Sequence, residues 1–175
     1  MMYVYSVLDK TSTKIGFALM MALSLIVMGS VIYCVSQIQQ ISGNGILDFE
    51  QGHTPERIQE ILGSYGEDGM RWYRRVLLLD ILNPLFYTLV FMSIIHLLVR
   101  HTRHAWIVII PIFAGLLDYI ENIFLFGFVR NFPNIDPENV SIANAVSLIK
   151  YGAILIAIAA FIFAVFLWFE QKRKA

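Results

Sequence analysis

Four long apolar stretches parted by short polar ones dominate the pattern of this chain. No charged residue falls between Lys14 and Asp48, and 15–38 reads as a first span. The second, 76–99, is interrupted by Asp80 and His96, and the third, 105–129, by Asp118 and Glu121. The fourth, 140–169, carries Lys150 as its only charge. Each is long enough for the ~20 residues with which a helix crosses about 30 Å of hydrocarbon. Apolar and polar positions do not alternate, so helices are expected to satisfy the backbone in lipid. The pattern predicts an all-α membrane protein: a four-transmembrane-helix bundle making one integral membrane domain over 1–175.

Composition narrows the reading. The chain has 175 residues, 58% hydrophobic and 15% charged, with mean hydropathy +0.66, more apolar surface than a soluble domain of this size can hide. Net charge is zero, which leaves no basic footprint for nucleic acid. Cys34 is the only cysteine, so no intrachain disulfide forms and no cysteine metal cluster is expected. The first span is too long for a signal-peptide core and lacks a small-x-small site after it, so it is expected to remain as an anchor.

The basic residues orient the spans. Lys10, Lys14, Arg100, Arg103, Lys172, Arg173 and Lys174 fall on one side, accompanied by Asp9 and Glu170. The other side mixes Arg57, Arg71, Arg74, Arg75 and Arg130 with eight acids, among them Asp48, Glu67 and Asp136. The positive-inside rule then places both termini in the cytoplasm, with the plasma membrane as the expected location. The outer loop, 39–75, is the one sizeable extramembrane piece. Within it, Thr54-Pro55 reads as an N-cap followed by proline in the first helical turn. Ile58, Ile61 and Leu62 lie opposite Glu56, Arg57 and Glu60, which predicts a short amphipathic helix ending at Gly63. The run 66–69 is expected to break the chain again, with Asp68 capping the second span.

The candidate chemistry lies inside the spans. An ionised carboxylate in hydrocarbon costs roughly 2.5–3.5 kcal/mol on insertion scales, so each must find water, a partner or a proton. Asp118, Glu121 and Asn122 share one face of span three at i, i+3, i+4 spacing. Asp80, Asn83 and Tyr87 share a face of span two, and Asn144, Ser147 and Tyr151 one of span four, with Lys150 at its edge. At ~1.5 Å per residue from the inner helix ends, these groups stand roughly 20–30 Å up, in the outer third of the membrane. Asp80 comes out level with Lys150, and Asn83 with Glu121. Below Asp118, Ala114 and Gly115 permit close helix approach or leave a void. Pro84 and Pro111 are expected to free backbone carbonyls.

Polar groups between packed helices often only hold a bundle together, and an Asp80–Lys150 clamp would be of that kind. The double carboxylate is harder to explain so, because crowded like charges push one pKa up and suit proton exchange. Arg71, Arg74 and Arg75, beside Trp72 and Tyr73, form a basic face that anchors at the interface or contacts anions and lipid headgroups. His96, His101 and His104 gather at the inner end as interfacial residues rather than a metal site. No phosphate-binding glycine loop, Cys-x-x-Cys pair or facing mid-membrane histidines occur, so no cofactor and no metal are expected.

In layout the chain resembles the sterol-isomerase-like EXPERA proteins. Those have four or five spans and intramembrane acids beside a proline in a helix, as Asp80 and Pro84 stand here. The likeness is one of architecture and implies no role for any residue, since the segment 118–122 does not align to that family's pattern.

The sequence thus predicts an outward-facing polar pocket lined by spans two, three and four and covered by the amphipathic helix. It would bind or pass a small amphiphile or ion, with Asp118 and Glu121 as charged contacts and proton coupling through one of them. The rivals are an intramembrane acid/base enzyme acting on a lipid-like substrate, and a non-catalytic subunit docking another membrane protein. The expected partners are the lipid bilayer, a small amphiphile or ion, and further copies or other membrane chains if transport or assembly is the task.

Overall fold

The computed structural model describes residues 2–49 and 52–174. Helices α1 (Met2–Thr11) and α2 (Lys14–Ser42) are followed by a 3-10 turn, Leu47–Phe49, then α3 (Pro55–Ser64) and α4 (Gly66–Leu79). Helix α5 (Asn83–Val99), a 3-10 stretch (Ala105–Ile109), α6 (Ile110–Asn131) and α7 (Pro137–Lys174) complete the chain. Among the described residues there is no strand. Four segments are long and apolar enough to cross a membrane: α2, α4 with α5, the 3-10 stretch with α6, and α7.

Several elements differ from the sequence reading. Helix α1 has too short an apolar pattern to announce itself. It turns into α2 at Thr13, whose side chain accepts from the Gly16 N–H. A Cβ on Gly16 would lie 2.4 Å from the Lys10 carbonyl oxygen, so only glycine lets the chain fold back this sharply. The run 66–69, expected to break the chain, is instead the first turn of α4, so the second span starts ten residues earlier than hydrophobicity suggests. Asp68 pairs with Arg71 at 2.9 Å, and no side chain caps α4. Thr54 caps α3 by accepting from the Arg57 N–H at 3.2 Å, and α3 runs on to Ser64.

The second span is discontinuous. Helix α4 stops at Leu79 and α5 begins at Asn83, with 80–82 drawn into tight turns in which the Ile81 and Leu82 N–H groups reach back only three residues. Pro84 is the cause. It has no N–H for the carbonyl four residues back, which is that of Asp80, and its ring crowds that carbonyl. Pro111 acts differently from expectation. It sits in the first turn of α6, and the carbonyl it would leave open, that of Ile107, is taken by the Ile110 N–H.

Two apolar cores hold the bundle. One, at the α3 end, packs Ile38, Ile58, Leu62, Tyr73, Leu77 and Phe128. The other, at the α1 end, packs Leu8, Met92, Ile95, Val99, Val108 and Ala164. The polar residues of the spans lie between them. Helix α2 packs extensively on α4 and α5 and at most marginally on α6 or α7, whereas α5, α6 and α7 pack on one another. The first span is therefore attached to one side of the bundle, through α4 and α5.

Candidate functional site

The break in span two is stitched to α6. Asn122 donates to the Asp80 carbonyl at 3.2 Å, and the Tyr119 hydroxyl to the Ile81 carbonyl at 2.8 Å. Side chains three apart on one helix thus replace the backbone bonds that the break forfeits, as unsatisfied carbonyls at membrane depth require. The Asp80 side chain, at the C-cap of α4, accepts from Asn83 at 3.1 Å.

A second cluster joins α5, α6 and α7. Lys150, 8% exposed, donates to Glu121 in a very short contact and to Asp118 at 3.2 Å. The Tyr87 hydroxyl donates to the other Asp118 oxygen at 2.8 Å, and Ser147 donates to the other Glu121 oxygen. One ammonium thus holds both span-three carboxylates, and hydroxyls fill the oxygens it leaves. Lys150 is committed to Asp118 and Glu121, not to Asp80. The level heights that suggested an Asp80–Lys150 clamp neglected the helix break, which re-aims Asp80.

A cavity of about 560 Å³ opens beside these groups. Its polar wall is Asp80, Asn83, Asp118, Glu121, Lys150 and Tyr151. Its mostly apolar wall comes from α2, through Met28, Val31, Ile32 and Val35, with Ser36 and Gln39 beside them. Met28 and Ile32 are also exposed on the outer face of the bundle, so the cavity reaches the lipid-facing side where α2 stands off from α7. The span-one wall was not foreseen, although Ser36 and Gln39 of α2, which also line the cavity, mark the face in sequence.

Asp48, from the loop after α2, lines the same cavity. The Tyr73 hydroxyl donates to it at 3.2 Å, and the Tyr65 hydroxyl holds the Gly45 carbonyl at 2.8 Å, so two buried tyrosines, one in α4 and one at its N-cap, pin this loop over the pocket. Burial pushes the Asp48 carboxyl up to about 7, and the negative charges of Asp80 and Glu121 add to the rise. In sequence Asp48 looked like one more loop acid. The signal that could have found it is its place in the short apolar run 46–49. Among the described residues, no lysine or arginine pairs with Asp80 or Asp48.

The remaining candidates scatter. Asn144 grips the segment before α3, accepting from the His53 N–H at 3.0 Å and donating to its carbonyl at 2.9 Å. Asn122 belongs to the stitched break and Tyr87 to the lysine cluster. The Arg75 guanidinium lies 4.3 Å over the Trp72 ring, while Arg71 and Arg74 line a separate groove. His96 bonds Asp9 of α1 at 3.2 Å, and His104 stacks edge-on against Phe163. Among the described residues, no group of three His, Cys, Asp or Glu is arranged to hold a metal ion. Gly115 does serve close approach: a Cβ there would stand 2.4 Å from the Thr88 hydroxyl oxygen on α5.

No family model matches the chain, and neither a curated protein nor a solved structure is found to match it.

Proposed function

We propose that this chain binds a small amphiphile with a cationic, amine-type head, which it takes sideways from the membrane. The cavity between α2 and the α5–α7 cluster carries the reading, because one wall is mostly apolar and the other presents four carboxylates against one lysine. Lys150 contacts Asp118 and Glu121, and among the described residues this leaves Asp80 and Asp48 without an ion-pair partner. A bound ammonium would supply the missing charge where ε is low and ion pairing is strong. The α2 wall suits a short acyl or aromatic tail. The charged contacts are therefore Asp80 and Asp48 rather than the Asp118–Glu121 pair. The same point tells against an acid/base enzyme working through Glu121, since both of its oxygens are engaged.

The orientation that accords with the basic residues puts the termini in the cytoplasm of a plasma-membrane protein, with the cavity towards the outer leaflet. An amphiphile would reach it through the gap beside Met28 and Ile32 without crossing water.

The test is calorimetric titration of the detergent-solubilised chain with a medium-chain primary amine and with the alcohol of equal length. Amine binding at least tenfold tighter than alcohol binding, and lost in Asp80→Asn while the variant stays folded, is the expected result. Equal affinities for the two, or an Asp80→Asn variant that binds amine as the parent does, would overturn the reading.

A further inference from the structure

A second groove, separate from the cavity, lies where α3, α4 and α6 meet and measures about 690 Å³. Arg71 and Arg74 enter it from adjacent turns of α4, and Arg130 enters from the last turn of α6. In sequence the basic face was Arg71, Arg74 and Arg75. The fold turns Arg75 onto Trp72 and substitutes Arg130, distant in the chain. Arg71 is held by Asp68 at 2.9 Å, while Arg74 and Arg130 have no ion-pair partner among the described residues. The one acid in the lining is Glu67, so three arginines face two acids, Glu67 and Asp68, and the groove keeps a net positive charge. Met70, Val129 and Phe132 give it apolar flanks.

Depth tells what this groove meets. The α4–α5 span has 34 residues, roughly 50 Å of helix at 1.5 Å per residue, well beyond the ~30 Å of hydrocarbon. The first turns of α4 therefore stand in the headgroup layer, as does Arg130 near the end of its span. Arginine forks bind phosphate oxygens bidentately, and apolar flanks below suit a glycerol backbone.

We propose that this groove binds the phosphate of an anionic phospholipid, with Arg74 and Arg130 as its main contacts. The site is independent of the amine cavity. A single surplus positive charge matches a headgroup carrying one net negative charge and gives no advantage to a zwitterionic one.

The experiment uses the full chain in nanodiscs of phosphatidylcholine with a minor share of phosphatidylglycerol, followed by native mass spectrometry of retained lipid. The parent should retain phosphatidylglycerol about tenfold over its share of the bilayer. Arg74→Gln with Arg130→Gln should bring retention down to that share, and Arg74→Lys with Arg130→Lys should fall between. Amine binding in the cavity should be unchanged in both variants, which separates this proposal from the previous one and reports that they fold. Retention that ignores the substitutions, or no preference over phosphatidylcholine, would overturn it. Inorganic phosphate in detergent is the control arm. If millimolar phosphate stabilises the parent as much as phosphatidylglycerol does, the site is for free phosphate and the lipid assignment fails.

Discussion

At the scale of single residues, the cavity is organised by which groups are already satisfied. Lys150, Tyr87 and Ser147 occupy the Asp118 and Glu121 oxygens, while the Asp48 carboxyl is raised to about 7 mainly by burial. An acid whose pKa is higher folded than unfolded binds more protons in the folded state, so ionising it costs stability. The cost is absent below the ordinary value of 3.8 and complete above about 7. Asp48→Asn keeps an acceptor for Tyr73 and removes that cost. Its thermal midpoint should match the parent's near pH 4 and exceed it above pH 7, by about 2–4 °C for each kcal/mol relieved. The same titration couples to ligand. Asp48 faces Tyr73, Asp80 and Glu121, and an arriving ammonium favours its ionised form. Amine affinity should weaken as pH falls through 7, with a proton released on binding below that pH. Midpoints that move in parallel at every pH would show that Asp48 does not titrate as described.

At the scale of elements, the break in span two decides where Asp80 points. Proline within a helix costs ~3 kcal/mol relative to alanine, so the break persists because Asn122 and Tyr119 satisfy the carbonyls it exposes. Pro84→Ala restores an N–H to the Asp80 carbonyl and allows α4 and α5 to join. Thermal stability should hold or rise, while amine affinity should fall roughly tenfold, about 1.4 kcal/mol, as Asp80 swings away from the cavity. This is the stability–activity trade-off expected of a functional irregularity. Titration calorimetry beside a melting curve checks both signs. An affinity equal to the parent's would make the break a mere accommodation to proline.

At the scale of the molecule, two apolar cores enclose a polar layer, and α2 leans on only one side of the remaining bundle. That asymmetry is what the proposed lateral entry relies on. It also makes sidedness testable, because Cys34, the sole cysteine, is buried. A membrane-impermeant maleimide should label Glu56→Cys on intact cells and Thr102→Cys only after permeabilisation. The reverse pattern would place the cavity towards the cytoplasm and give the arginine groove to the inner leaflet.

The sequence by itself determined the four long apolar helices and which of their positions are polar. Lipid penalises every unpaired polar group, and helical rise converts chain position into height. It also set Asp80, Asp118, Glu121 and Lys150 at similar heights, but by height alone it paired Lys150 with Asp80. Only the tertiary structure decided that Pro84 would re-aim Asp80, that a loop acid would be pinned over the cavity by two tyrosines, and that Arg130 would replace Arg75 in the basic groove. Each of these depends on the rotation of one helix about its axis relative to another. Such rotation is fixed by packing between distant segments, which leaves little trace in helices apolar on nearly every face.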